Sequence, residues 1–130
     1  MAAIVLSNAG RSVGADAIGA AMKYIDIYDS PRPATPDTAI TSQIKLARVT
    51  LNATPFAAAS NGVAAASAIA ATTGLATGTA AWCRILASDG TTVIADGDVG
   101  TSGQEVNLST TSIESAGAVT ITSGSLTQTA

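Results

Sequence analysis

The sequence predicts a mainly β protein, specifically a jelly-roll-like β-sandwich of about eight strands with a short N-terminal α-helix. Runs of alternating apolar and polar residues recur along the chain with turn residues between them, which is typical of sandwiches and barrels. Two of the separators are hairpin dipeptides, Asn61-Gly62 and Asp89-Gly90, in which glycine accepts the positive φ of a tight turn. The 130 residues fit one domain, divided into an arm (1–7), a helix (8–23) and the β-sandwich (24–130).

The composition argues against several classes of function. Hydrophobic residues make up 47% of the chain but aromatic residues only 3%, so alanine dominates a thin core that would gain from a partner surface. Six basic residues and a net charge of -3 argue against nucleic acid as a partner. The longest apolar stretch, 62–71, is about half the length of a membrane span. This stretch is too short to cross a membrane, so we expect no membrane partner. The first residues also lack the basic start of a secretory signal.

The chain begins with an apolar arm and a helix. Ile4, Val5 and Leu6 are too few to form an element alone, so the arm either adds a strand to a sheet edge or docks on a neighbour. The helix follows, because apolar residues recur at helical spacing after Ser7 or Asn8, either of which can cap it. Its three glycines lower its intrinsic stability, so the helix needs tertiary contacts to persist.

A short strand and a proline-rich loop come next. Tyr24–Tyr28 alternates polar and apolar residues and predicts a strand. The segment 29–41 holds three of the four prolines, which lack the amide hydrogen that a sheet interior requires. We therefore predict an exposed, stiff loop here, and we expect it to contact another subunit.

The next two strand predictions each leave an alternative open. The apolar residues of Ile44–Leu51 change face along the run, so either both faces are covered or a bulge near Ala47-Arg48 shifts the alternation. Alanine-rich runs flank Asn61-Gly62, and propensity alone would make Val63–Ala71 helical. The hairpin dipeptide favours extended structure instead.

A central hairpin pairs Ala80–Ala87 with Thr91–Ala95 and carries the only tryptophan. Trp82 is either an anchor for a partner or a cover for the core beneath the helix, and we favour the core. Arg84 is predicted to pair with a carboxylate. The remaining chain predicts turns at 97–103 and 113–117 and strands at 105–109 and 118–127.

No motif in the chain predicts chemistry. Histidine is absent, and Cys83 is the only cysteine, so we expect it to be a small buried hydrophobe. Asp96-Gly97-Asp98 could begin a calcium loop, but no third acidic ligand follows at the required spacing, which favours a solvated strand end. Nothing in the spacing of the acidic residues selects a pair for glycoside hydrolysis. We predict that the protein is not an enzyme and uses no metal, no cofactor and no small-molecule substrate.

The second half of the chain carries a family resemblance. Thr79–Ser125 contains A-A-W-C-R-I-L-A-S-D-G-T-T-V, then G-D-V-G-T-S-G-Q-E-V-N-L-S-T-T-S-I and an I-T-S tail, behind the alanine-rich helix and Pro/Thr loop. In this order it resembles the head cement (decoration) proteins of tailed bacteriophages, of the kind carried by a short-tailed Bordetella phage. Larger hydrophobes are usual in the family where this chain has Cys83.

The resemblance implies a jelly-roll-like homodimer, made in the host bacterial cytoplasm and placed on the outer surface of a phage head in the virion. There it would bridge subunits of the major capsid protein of an HK97-like shell and stabilise the capsid. An alternative is a receptor-binding or fibre-associated β-sandwich module of a phage tail, although recognition surfaces are usually rich in Tyr and Trp. The residues expected at a partner interface are Ile4, Val5, Leu6, Pro31, Arg32, Pro33, Pro36, Trp82 and Arg84.

Overall fold

A computed structural model describes residues 4–128, and these form a mainly β protein with a single short helix, as predicted. Eleven strands occur in this part of the chain rather than about eight, because several predicted strands are interrupted and four contain only two residues. The elements are α1 (Asn8–Ala21), β1 (Tyr24–Tyr28), β2 (Lys45–Thr50), β3 (Val63–Ala65), β4 (Thr72–Thr73), β5 (Gly78–Thr79), β6 (Trp82–Leu86), β7 (Val93–Gly100), β8 (Val106–Leu108), β9 (Ser112–Ile113), β10 (Ala118–Val119) and β11 (Ile121–Thr127).

Seven strands form one sheet in the order β2-β1-β6-β7-β8-β11-β3, and the four shortest form two separate pairs, β10-β4 and β5-β9. Neighbours in the large sheet are antiparallel except for β7 and β8. Val49 lies on β2, at one end of the strand order, and Ile121 lies on β11, the last strand but one at the other end, yet both belong to one apolar core. The sheet therefore curls around that core.

The core is built mainly from Ile, Leu and Val, with few large side chains. Cys83 is fully buried within it, which confirms the prediction that this residue packs as a small hydrophobe. At about 25 cal/mol per Å² of apolar area, the aliphatic residues supply most of the burial energy. The buried apolar cluster comprises Met22, Ile25, Ile27, Leu46, Ala47, Val49, Leu51, Ala80, Cys83, Val99, Val106, Leu108, Ile113, Val119 and Ile121.

Polar side chains cap helix α1 and hold it to residues 59–62, which lead into β3. Ser7, one of the two residues predicted as possible caps, is the N-cap, and its hydroxyl accepts a hydrogen bond of 3.1 Å from an amide of the first turn. Further along α1, Ser12 Oγ accepts from the Gly62 amide at 3.1 Å, and Asp16 Oδ1 accepts from the Ala59 amide at 2.8 Å. The helix ends two residues before the predicted boundary. No helix within residues 4–128 has the length and apolarity to cross a membrane.

The hairpin predicted at Asn61-Gly62 is confirmed. Both residues have positive φ, +52° and +81°, and Ser60 pairs with Val63 across them. The alanine-rich segment after the turn is extended over Val63–Ala65, so its turn chemistry outweighs its helix propensity. The segment 67–71 belongs to neither a helix nor a strand.

The irregularity predicted in the second strand is also present. Ile27 on β1 pairs with Ala47 on β2, but the next residue, Tyr28, pairs with Lys45. Leu46 lies between these partners, next to the predicted bulge position, and its side chain is fully buried along with that of Ala47. The bulge explains how adjacent residues on β2 both face apolar surroundings.

Two predictions for the second half were wrong. The turn expected at 97–103 begins only after Gly100, because Gly97 and Asp98 continue β7 and pair with Cys83 and Trp82. A Cβ on Gly97 would make an ordinary contact of 3.5 Å with Cys83 Sγ, so the packing at this position does not require glycine. The single strand expected over 118–127 is divided at Thr120 into β10 and β11.

Candidate functional site

One face of the large sheet carries a row of four alternating charges. Arg48, Asp26, Arg84 and Asp96 are successive register partners on β2, β1, β6 and β7. Arg48 donates to the Asp26 carboxylate from Nε at 2.7 Å and from Nη2 at 2.9 Å. Arg84 does the same to Asp96, at 2.8 Å and 3.0 Å. We call these four residues the charge row.

The carboxylates of the charge row are buried and fully paired. The side chains of Asp26 and Asp96 are 2% and 1% exposed, and Lys45 Nζ adds a third contact to Asp26 at 3.1 Å. Their hydrogen bonds raise the pKa values of Arg48 and Arg84 above the usual value for arginine. No buried side-chain nitrogen or oxygen of the described residues lacks a hydrogen-bond partner. Buried and satisfied charges of this kind make the sheet face rigid.

The proline loop, residues 29–43, lies on the charge row. Arg84 Nη1 donates to the Thr38 carbonyl at 2.8 Å, and Arg32 Nη1 donates to Asp98 at 2.8 Å. Near the base of the loop, the Gln43 side chain donates to the Pro31 carbonyl at 2.6 Å. The loop is therefore held on the sheet by polar contacts at several points along its length. Its residues Pro31, Arg32 and Pro36 are exposed, and Pro33 is half-buried.

Trp82 and Arg84 lie beneath this loop, so the structure corrects their expected exposure to a partner. Trp82 is 0% exposed and stacks on Tyr28, with ring centroids 4.9 Å apart. Its Nε1 donates to the Asp29 carbonyl at 2.8 Å, and the Arg84 guanidinium lies over its ring. Trp82 thus packs under the proline loop rather than beneath the helix. The predicted pairing of Arg84 with a carboxylate is present.

The N-terminal arm is the most exposed apolar segment of the described chain. Ile4 is 91% exposed, Val5 80% and Leu6 37%. These three consecutive side chains precede the cap of α1, and the first two leave nearly all of their apolar surface in solvent. Side chains that remain in solvent contribute little burial energy to the fold.

An apolar cleft of about 460 Å³ opens on the opposite face of the sheet from the charge row. Ile25, Ile85 and Ala95, which are register partners on β1, β6 and β7, line one side of it. Phe56 and Leu126, which belong to distant parts of the chain, are among the residues that line the rest. No sequence signal predicted the cleft, because it is formed by residues that only the curled sheet brings together.

The acidic residues considered in the sequence have separate structural roles. Asp89 caps the hairpin turn, and hydrogen bonds from Thr92 and Thr91 lower its pKa to about 2. Asp96 and Asp98 lie within β7, each paired with an arginine, rather than at a solvated strand end. Within residues 4–128, no three Cys, Asp or Glu side chains are grouped so that they could hold a metal ion.

Cys83 has the properties of a packing residue. Burial is the largest cause that raises the pKa of its thiol, from 9.0 to about 12. The thiolate is the nucleophilic form of cysteine, and such a pKa keeps the group protonated at neutral pH. The position therefore contributes packing rather than reactivity.

No protein-family model, curated protein or solved structure matches this chain.

Proposed function

We propose that this protein is a structural component of a bacteriophage virion that binds the outside of an icosahedral head. In this role a homodimer with a jelly-roll-like β-sandwich fold bridges neighbouring subunits of an HK97-like major capsid protein and stabilises the shell. The resemblance of Thr79–Ser125 to head cement proteins is the sequence support for this proposal.

The observation in the structure that supports the proposal best is the anchored proline loop. A protein that bridges capsid subunits must present its contact residues in a fixed geometry, because ordering a mobile loop on binding lowers affinity. Here the charge row and Trp82 hold the loop from beneath, while Pro31, Arg32 and Pro36 remain accessible. Many such contacts of modest strength become strong when both ends of a dimer engage one rigid lattice.

The tail-associated alternative receives less support from the distribution of aromatic residues. The chain has four aromatic residues, namely Tyr24, Tyr28, Phe56 and Trp82. Tyr28 and Trp82 are buried, and Tyr24 and Phe56 are half-buried. Binding hot spots are enriched in Tyr and Trp. A receptor-binding surface on this protein would contain no fully exposed aromatic side chain among the described residues.

A binding assay with phage heads that lack this protein tests the proposal. The purified full-length chain is expected to bind such heads and to raise the temperature at which they release DNA. Pro36→Asp, in the exposed part of the loop, is expected to weaken binding about tenfold or more. Thr73→Asp places the same charge on an exposed residue of β4 and serves as the matched control. Failure of the unaltered chain to bind heads would contradict the proposal.

A further inference from the structure

The subunit exposes two apolar features that do not contact each other within one chain. The arm residues Ile4, Val5 and Leu6 leave the body at the cap of α1 and are largely in solvent. The cleft of about 460 Å³ lies in the sheet, and Met22, just beyond the other end of α1, is one of its walls. The 14 residues of α1 span about 21 Å between these points.

The chemistry of the cleft matches that of the arm. Its walls include Met22, Ile25, Phe56, Ile69, Ile121 and Leu126. Its charged lining residues are Asp96, whose carboxylate is paired with Arg84, and Glu105, which is exposed. The volume falls in the range of specific binding pockets, and most of the residues that line it are apolar. The described part of the arm is likewise uncharged and consists of branched aliphatic side chains.

We infer that the cleft of one subunit receives the arm residues Ile4–Leu6 of a second copy of this chain, in a reciprocal exchange that forms the homodimer. A two-fold exchange uses the same two surfaces on both subunits, as a closed symmetric dimer requires. It buries both arms and fills both clefts, so each subunit loses its largest exposed apolar segment. This inference deepens the proposed function, since it rests on the homodimer named there and identifies the surface that forms it.

Sedimentation equilibrium of the purified full-length chain tests the exchange without phage heads. The unaltered protein is expected to be a dimer. The double variant Ile4→Asp/Val5→Asp is expected to raise the dimer dissociation constant at least a hundredfold, because each buried aliphatic side chain accounts for about tenfold or more and both arms are altered. These side chains are exposed in the subunit, so the variant should retain the native fold and melting cooperativity.

Matched variants separate the arm–cleft contact from other dimer surfaces. Val13→Asp places the same charge on an exposed residue of α1, and Leu75→Asp does so on another part of the surface; both variants are expected to remain dimers. Ile69→Asp, in the cleft wall, is expected to be a monomer. A mixture of the arm variant and the cleft variant should form a weak heterodimer, because one arm and one cleft remain intact and complementary.

The outcomes distinguish this inference from the proposed function. A monomeric unaltered protein, a dimer that survives the arm substitutions, or a dimer lost with Val13→Asp but not with Ile4→Asp/Val5→Asp would overturn the exchange. A dimer that depends on the arm but does not bind heads would leave the exchange standing and refute the proposed function. Head binding by a monomeric protein would refute the exchange and the homodimer but would leave binding to the head standing.

Discussion

Arg84 on β6 and Asp96 on β7 face each other across adjacent strands and share two parallel hydrogen bonds, Nε to Oδ1 at 2.8 Å and Nη2 to Oδ2 at 3.0 Å. The same guanidinium donates to the Thr38 carbonyl of the proline loop. One buried arginine therefore links the strand pairing of the central hairpin to the loop that covers it. Loss of this arginine would weaken the pairing of β6 with β7 and would also remove one of the contacts that hold the proline loop on the sheet.

Removal of this arginine should destabilise the protein strongly. We expect Arg84→Met to lower the free energy of unfolding by about 3–5 kcal/mol, because the Asp96 carboxylate remains buried without its partner. Urea unfolding followed by the fluorescence of Trp82, the only tryptophan, measures the change.

The chain offers a matched control for this substitution. Arg32 pairs with Asp98 at the same distance of 2.8 Å, but the two side chains are 38% and 50% exposed. Arg32→Met should therefore cost only about 0–1 kcal/mol, as is usual for exposed ion pairs. Equal losses in the two variants would show that burial does not decide the strength of the Arg84 pair.

A second prediction concerns the turn that holds α1 to the sheet. Gly62 and Gly103 have similar positive φ values, +81° and +71°, but differ in their surroundings. A Cβ on Gly62 would lie 2.7 Å from the Gln128 carbonyl oxygen, whereas a Cβ on Gly103 would enter open space within the described residues. We expect Gly103→Ala to cost about 1 kcal/mol from backbone strain and Gly62→Ala about 2–4 kcal/mol from strain and overpacking. Thermal unfolding of both variants checks the difference, and a Gly62→Ala protein no less stable than Gly103→Ala would contradict it.

A third prediction concerns alkaline pH. Because burial raises the pKa of the Cys83 thiol from 9.0 to about 12, the folded protein keeps a proton that the unfolded chain releases in this interval. The resulting stabilisation is complete below pH 9 and is lost as the pH rises from 9 to 12, by up to about 1.4 kcal/mol for each pH unit. Burial also raises the pKa of Tyr28, which adds a decline in the same direction above pH 10.

Cys83→Ala isolates the contribution of the thiol. The variant is less stable at neutral pH but retains the Tyr28 contribution, so its free energy of unfolding should fall less steeply between pH 8 and pH 10 than that of the unaltered protein. Urea unfolding at pH 8, 9 and 10 measures both slopes. Parallel slopes for the two proteins would contradict the assigned cause.

The features that the sequence predicted correctly have local causes. Ser7 caps the helix through an amide three residues away, and Asn61-Gly62 forms a turn through its own backbone preferences. The pairing of Arg84 was also predictable, because an arginine within a strand of an apolar hairpin needs a carboxylate when it is buried. The identity of that carboxylate was not predicted, since it depends on the register of the hairpin.

The features that the sequence did not predict depend on long-range pairing. Arg48 and Asp26 are 22 positions apart, and only the register of β1 and β2 places them side by side. Gly97 and Gly100 resembled a turn, because glycine in a strand gives the same local signal as glycine in a loop. The apolar cleft depends on the curl of the whole sheet. The partner contacts of Pro31, Arg32, Pro33 and Pro36 remain predictions.

A reconstruction of purified phage particles by electron microscopy, at side-chain resolution, tests the central claim most directly. We expect density for this chain on the outer surface of the head, repeated across the shell, with the loop residues Pro31–Pro36 against the major capsid protein. Particles whose heads lack the chain, or carry it only at the tail, would refute the proposed role on the head.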